Sequence, residues 1–331
     1  MNRFYDVTLR DGNHAIRHTL TPKFVGEYCR ASANSGVWAV EVGHGNGLGA
    51  SSYLVGASSF SDKDLLEAAR DSLIPGGPKL AVHTIPGFAT IKRDLIPALK
   101  LGVEVFRVAT HVSEATVAKK HIQFLASQNV YVHGVLMMSH MIDLKGLISQ
   151  VKLMESYGAS AVILMDSAGY FIESDVKDRI SAIKNESNIE IGFHAHNNLG
   201  IAVANANTAI NSGAEIIDGA SMGLGAGAGN AQLENIMATR LRSGDNIEIE
   251  HFLKMSALVE ESYKEKLPRT TSSSTQSGLA GVFSGYAPQV KQISDELGID
   301  ISVLWGELGK RKLVAGQESM IREVAQDLMN L

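Results

Sequence analysis

Up to about residue 245 the chain alternates short β-rich apolar runs with longer stretches whose apolar residues recur at helical spacing. The runs that read as strands are Phe4–Thr8, Trp38–Val42, Leu80–Thr84, Val103–Val108, Val130–Met137, Ala161–Met165, Ile189–Phe193 and Glu215–Asp218. Each is rich in Val, Ile or aromatic residues and short enough for a strand buried on both faces. Helical patterns lie between them, at Pro22–Ser35, Thr90–Leu101, Ser113–Ser127, Leu144–Tyr157, Glu173–Asn185 and Ile201–Asn211. Several carry start signals: Thr21 as cap with Pro22 behind it, Ser113 before Glu114, and Asp143 before Leu144. Gly36, Gly102, Gly158 and Gly213 follow helical patterns as stops.

Strand–helix units in this number and length predict an α/β fold, a (β/α)8 TIM barrel, with a doubly wound sheet as the competing arrangement. The long connection Gly43–Gly77 is expected as a loop-rich cap over one barrel mouth. After Glu250 the pattern changes. A Ser/Thr-rich stretch, Thr270–Ser277, interrupts the chain, and helical patterns follow near Pro288–Leu297, Ser302–Val314 and Ser319–Leu331. The last sets Ile321, Val324, Ala325 and Leu328 on one face, as an amphipathic helix does. The expected organisation is a catalytic barrel over residues 1–250 and a helical C-terminal domain over residues 251–331, packed on the barrel or on a partner.

Composition narrows the class. At roughly 150 residues per domain, 331 residues allow this two-part division. With 45% hydrophobic and 20% charged residues, the chain can bury a sizeable core and lacks the bias of a disordered one. A net charge of −5 argues against a nucleic-acid or membrane-surface footprint. Cys29, the single cysteine, excludes an internal disulfide and a Cys-rich zinc module. The opening MNRFYDVTLRDG shows no basic-then-apolar leader, and no apolar run approaches the ~18 residues of a membrane span. A cytoplasmic globular protein is expected.

Chemistry in such a barrel sits at the C-terminal ends of the strands. Strand one is followed by Arg10, Asp11 and His14, and strand seven by His194-Ala-His196. Side chains at i and i+2 of extended backbone point the same way, so both imidazoles can reach one cation, with Asp11 across the same mouth. Two imidazoles and a carboxylate with open positions make a site for a divalent metal that also binds substrate. Beside it, Arg10 can share the charge of an enolate, and His14 has the ordinary pKa of a general base. Glu41 and His44 fall near the pocket, and Ser167 either donates to a substrate carboxylate or caps a helix.

The glycine-rich run Gly223–Asn230 matches the dinucleotide fingerprint by spacing, but no parallel strands follow it, so a βα loop that lets backbone approach the site is expected. Asn230 is read as either a helix cap or a pocket donor. Cys29 and the Met137-Met138 pair are read as packing residues.

Several segments are similar to one enzyme family. Val7–His18, Glu41–Gly47, Met137–Met141, Met154–Gly158, His194–Leu199, Gly223–Asn230 and Val314–Met320 resemble the 4-hydroxy-2-oxovalerate aldolases along nearly the whole chain. The Arg-Asp-Gly and His-X-His elements alone indicate only the wider group of metal-dependent barrel lyases and synthases.

The resemblance implies reversible cleavage of a 4-hydroxy-2-oxoacid into pyruvate and an aldehyde with a divalent ion, usually Mn2+, with Mg2+ or Co2+ as alternatives. Asp11, His194 and His196 match the family's metal ligands. Arg10 matches its enolate-stabilising arginine, His14 its base for the C4 hydroxyl, and Ser167 a serine near the pyruvate carboxylate. An oligomer and an acylating aldehyde dehydrogenase partner are implied, the latter contacted through the C-terminal helices, as is a setting in aromatic-compound breakdown. A Claisen-type acyl-CoA synthase and a non-catalytic subunit scaffolding a dehydrogenase are the alternative functions.

Two departures stand out. Gly281-Val282-Phe283 replaces the family's Gly-Val-Tyr, with Tyr286 three residues on, and the resemblance implies that Phe283 and Tyr286 lie with His194 on the substrate side; Asn46 stands where aspartate is common. A missing hydroxyl is expected to alter aldehyde discrimination more than the metal chemistry.

Overall fold

The computed structural model describes residues 2–314 and 317–330. Residues 315, 316 and 331, which belong to the predicted tail motif and last helix, lie outside the described residues. Eight parallel strands close into a barrel: β1 Arg3–Asp6, β2 Ala39–Glu41, β3 Lys79–Thr84, β4 Val105–His111, β5 Tyr131–Met137, β6 Ala161–Asp166, β7 Glu190–Ala195 and β8 Ile216–Gly219. Strand order follows the chain, and β1 pairs with β8 through Tyr5↔Asp218 and Asp6↔Gly219. Every predicted strand is present, so the barrel stands and the doubly wound sheet does not.

The helices are α1 Gly12–Ala15, α2 Pro22–Ser32, α3 Asp62–Arg70, α4 Ile96–Lys100, α5 Lys119–Ala126, α6 Leu144–Ser156, α7 Glu173–Glu186, α8 Ala202–Asn211, α9 Leu233–Arg242 and α10 Ile249–Tyr263. In the tail they are α11 Ser272–Ala280, α12 Ala287–Leu297, α13 Ile301–Lys310 and α14 Ser319–Met329. Thr21 caps α2 by accepting the Phe24 N–H, and Asp143 caps α6 by accepting the Gly146 N–H at 2.7 Å. Gly36, Gly102, Gly158 and Gly213 all have positive φ, so the helices stop where a left-handed residue is needed.

The Gly43–Gly77 connection is loop-rich, as expected, and also carries α3 behind a Ser61–Asp64 capping box. Two expectations need correction. The Thr90–Leu101 pattern begins as a widened turn over Ile91–Leu95, because Pro97 lacks an N–H and its ring crowds the carbonyl of the preceding turn. The Ser/Thr-rich stretch at 270–277 is helical: Thr271 caps α11, whose Ser274, Ser277 and Gly278 are buried. Small residues serve there because α11 packs closely on the β7 loop and on α13.

Apolar residues form distinct layers. Tyr5, Val105, Val135, Ile163, Met165 and Ile216 fill the barrel axis with small Ala39, Ala81, Ala109 and Ala161 between them. A larger layer lies between strands and helices, and it includes Phe252, Met255 and Val259 of α10. The tail has its own core around Trp305, with Tyr286, Val290, Leu304, Leu308, Ile321 and Val324. Among the described residues no helix is long and apolar enough to cross a membrane.

The α11–α13 crossing generates a test. A Cβ built on Gly309 would lie 2.4 Å from the Ala280 carbonyl oxygen, whereas one on Gly306 meets nothing within 4 Å. Gly309→Ala should therefore force the helices apart and cost about 1–3 kcal/mol. Gly306→Ala in the same helix should be neutral or stabilising by up to ~1 kcal/mol. Chemical denaturation of the two variants should give opposite signs.

Candidate active site

The site begins at the barrel seam. Beyond β1, Thr8 donates from both backbone N–H and Oγ1 to Asp6 Oδ1, and Tyr28 on α2 donates to Asp6 Oδ2 at 2.7 Å. Thr8 Oγ1 in turn accepts the Ser221 N–H from beyond β8 at 2.8 Å. This buried knot fixes the turn that follows, in which the Asp11 N–H returns to the Val7 carbonyl. Arg10 and Asp11 are thereby held at the mouth, 4% and 2% exposed.

From β7, His194 points inward and His196 follows on the same side, as alternation requires. Asp11 Oδ2 lies 3.7 Å from His194 Nε2 and 3.7 Å from His196 Nε2, and the two Nε2 atoms are 3.4 Å apart. All three ligand atoms lie within 4.8 Å of one another, so the cluster could hold a metal ion. Among the described residues Asp11 Oδ2 is buried without a hydrogen-bond partner, which fits an oxygen reserved for a cation.

Arg10 donates from Nε to Glu41 Oε1 at 2.5 Å and from Nη1 to the Gly45 carbonyl at 3.3 Å, and its Nη2 is buried without a partner. One donor is thus left beside the metal cluster. Half-buried His14, on α1, hydrogen-bonds the backbone of Gly45, and a Cβ at that glycine would collide with the ring.

The remaining sequence candidates have mixed placements. Glu41 lies behind Arg10, fully buried, with both oxygens engaged. His44 uses both ring nitrogens on backbone, facing the Gly56 carbonyl and accepting the Asn46 N–H, and stacks on His18 at 3.7 Å. Ser167 caps no helix; its Oγ accepts the Met138 N–H at 2.9 Å, which leaves its own proton free. Asn230 is not a cap either, since α9 starts behind Gln232. It lies in the glycine-rich loop, donating to the Leu224 carbonyl, with its Oδ1 buried and unpartnered.

The tail reaches this mouth at residues 281–284. His140 of the β5 loop contacts the Gly281 carbonyl at 3.0 Å, and Ser284 donates to Asn198 Oδ1 at 2.9 Å, with Gly227 packed against the Ser284 side chain. Half-buried Phe283 sits between these anchors. Its ring meets that of Tyr286 edge to face, with centroids 5.7 Å apart; the Tyr286 ring lies in the tail core, and its hydroxyl donates to the Val314 carbonyl and accepts the Gln317 N–H.

Sequence reading missed Arg107, Asp218 and Asn198. Arg107 and Asp218 are ionisable residues at inward positions of apolar strands, and that isolation was their signal. Asn198 stood in plain view, two residues beyond His196.

Burial would raise the Asp11 carboxyl, but Arg10 and then the His196, His14 and His194 imidazoles hold it well below the ordinary range. Burial likewise opposes ionisation of Glu41, and Arg10 and Arg107 overcome it, holding it at about 2. Burial pushes His14 and His196 down to about 4 against the pull of Asp11. In the metal-free protein an anionic Asp11 therefore faces a neutral His196, the protonation states a metal requires of those two groups.

Comparison with known proteins agrees with this arrangement. The HMGL-like family matches residues 2–262, and the DmpG-like communication domain matches residues 268–330. The 4-hydroxy-2-oxovalerate aldolase of Pectobacterium atrosepticum is 47% identical over 98% of this chain and 94% of its own. The chain belongs to the 4-hydroxy-2-oxovalerate aldolase family. The Spirochaeta aurantia aldolase of that name is 48% identical over 98% of this chain and 95% of its own. Membership places this aldolase-family chain among the carbon–carbon lyases. The carboxyl transferase domain of Rhizobium etli pyruvate carboxylase shares the fold, with a TM-score of 0.81 at 16% identity, over 99% of this chain and 60% of the other.

The depressed histidines bear on stability. His14, His18, His83, His133, His140 and His196 are all pushed down, to between about 3 and about 4, by burial. Between those values and the ordinary ~6.5 the unfolded chain binds more protons, so their contribution is complete above ~6.5 and lost as pH falls. Asp6, Asp166 and Glu234, raised by burial to about 6, 7 and 7, act in the opposite sense but are fewer. The melting temperature of the metal-free chain should fall as pH is lowered from 7 to 4. A flat or rising profile would contradict this account.

Proposed function

We propose that this chain cleaves a 4-hydroxy-2-oxoacid reversibly into pyruvate and an aldehyde, with Asp11, His194 and His196 holding a divalent ion, Mn2+ by preference. The observation that supports it most directly is the convergence of those donor atoms beside the unpartnered Nη2 of Arg10. Such an ion, when bound, polarises the 2-oxo group of the substrate.

The remaining work falls to side chains of the protein. His14, neutral at pH 7, takes the proton of the C4 hydroxyl. As the C4–O bond becomes a carbonyl, the C3–C4 bond breaks and its electron pair passes to the 2-oxo oxygen as an enolate. Arg10 Nη2 donates to that oxygen, and return to C3 of the proton taken from the C4 hydroxyl gives pyruvate, so the step balances without a further reactant. Glu41 orients Arg10, and Ser167 has a free proton for the substrate carboxylate. His44 secures the loop beside His14 through its backbone hydrogen bonds.

Phe283 lines the aldehyde side with a ring and no donor, so aldehydes are sorted by shape, at about 1–3 kcal/mol per methylene. The tail docks an acylating aldehyde dehydrogenase, a reading supported by the match of residues 268–330 to a communication domain. We place the seam between the two units after α10, since Phe252, Met255 and Val259 belong to the barrel's outer layer.

Metal-stripped protein should release no pyruvate from 4-hydroxy-2-oxovalerate until Mn2+ is restored. Asp11→Asn should lose both bound metal and activity. Arg10→Ala should keep near-normal metal content while turnover drops about 10²–10³-fold. Full pyruvate release after chelation would overturn the proposal.

A further inference from the structure

Beneath the site, a guanidinium that touches neither the metal cluster nor the mouth joins both halves of the machinery. Arg107 on β4 is fully buried, with its guanidinium 4.5 Å over the Tyr5 ring. Its Nη1 donates to Glu41 Oε2 at 2.9 Å, and its Nη2 donates to Asp218 Oδ2 at 2.7 Å. Each of those carboxylates holds one working side chain. The other oxygen of Glu41 accepts Arg10 Nε, and Asp218 Oδ2 faces His194 Nδ1 at 2.9 Å.

We propose that Arg107 is a positioning residue that sets the metal arm and the enolate arm of the site together, by clamping Asp218 and Glu41 from below. The inference rests on the metal reading given above. Two features of the arrangement carry it.

The first is tautomer control. Asp218 takes the Nδ1–H of His194, which leaves the Nε2 lone pair facing Asp11 and His196; a carboxylate behind a ligating imidazole fixes ring angle and tautomer in this way. Asp218 can do so only while its own orientation is held. Arg107 supplies that hold, and the other oxygen, Asp218 Oδ1, makes no hydrogen bond of its own.

The second is charge and shape. Glu41 and Asp218 are buried carboxylates matched by two buried guanidiniums, Arg10 and Arg107. Removing Arg107 takes from Glu41 Oε2 and Asp218 Oδ2 the donor that each accepts, and frees Glu41, which holds Arg10 Nε, to turn. A lysine restores the charge but not the fork, since one ammonium cannot present two fixed donors in the two directions that these carboxylates occupy.

The test is Mn2+ titration of the metal-stripped full-length chain, followed by electron paramagnetic resonance, with turnover measured on the same samples. Asp218→Asn should weaken Mn2+ binding about 10–100-fold. Glu41→Gln should leave Mn2+ affinity near wild type and lower turnover, because an amide can still accept from Arg107 and the Asp218–His194 contact is left in place. Arg107→Met should show both defects, with a changed signal from the bound ion, and Arg107→Lys should recover them only in part while melting near the wild-type temperature. Should Arg107→Met fail to fold, Arg107→Lys still decides. Wild-type Mn2+ affinity and wild-type turnover in folded Arg107→Lys would overturn the assignment. Failure of the wild-type chain to bind Mn2+ would overturn the metal reading and this assignment with it, which separates the two failures.

Discussion

Everything at the barrel mouth depends on the pairing of β1 with β8. Asp11 stands near the start of the chain and His194 and His196 far along it, and only closure of the barrel places them at one opening. The closure is secured by more than backbone hydrogen bonds. Asp6, Thr8, Tyr28 and Ser221 form a buried polar knot across the seam, with Tyr28 Oη and Ser221 Oγ 2.6 Å apart. A buried polar group without a partner costs more than a satisfied one returns, so such a knot favours one register strongly. A slip of a single residue would turn Asp6 inward and orphan all four groups.

A second constraint follows from placing charge inside the barrel. Glu41, Arg107 and Asp218 lie on inward positions among alanines and valines, where an isolated charge could not persist. Their mutual pairing makes burial tolerable and extends upward to Arg10 and His194. Small residues on the axis, Ala39, Ala81, Ala109 and Ala161, leave the width that a guanidinium and three imidazoles (His83, His133 and His194) require. The barrel axis is thus part packing and part electrostatic scaffold, and the site is the upper end of that scaffold.

This division explains what could be read from sequence. The strands were legible because runs buried on both faces have a distinctive composition, and the glycine stops because a left-handed helix end has few alternatives. The convergence of Asp11, His194 and His196 was legible because ligand chemistry restricts residue type and strand-end position together. Arg107 and Asp218 were not, because one ionisable residue in an apolar strand acquires meaning only when register shows which partner it meets. Phe283 and Tyr286 are three residues apart, and sequence spacing does not show that their rings meet edge to face on the tail core. Helices α3 and α11 were obscured by polar composition. α3 buries only Leu65, Leu66 and Ala69, and α11 achieves close packing with serine and glycine rather than with large apolar residues.

The tail is joined to the chemistry rather than merely adjacent to it. Asn198 is fully buried two residues beyond His196. Its amide donates to the Ser274 carbonyl and to Ser277 Oγ on α11, while its Oδ1 accepts from Ser284. One short side chain therefore fixes the loop carrying a metal-ligand candidate, the first helix of the tail and the segment holding Phe283. Gly278 must lack a side chain for this contact to form, since a Cβ there would lie 2.9 Å from that of Asn198. Rigid packing of this kind transmits displacement poorly by bending and well by whole-element shifts. Movement of α11 would thus carry the β7 loop with it or break a buried three-bond junction. The position of the tail and the geometry of the site are, on these contacts, a single mechanical variable.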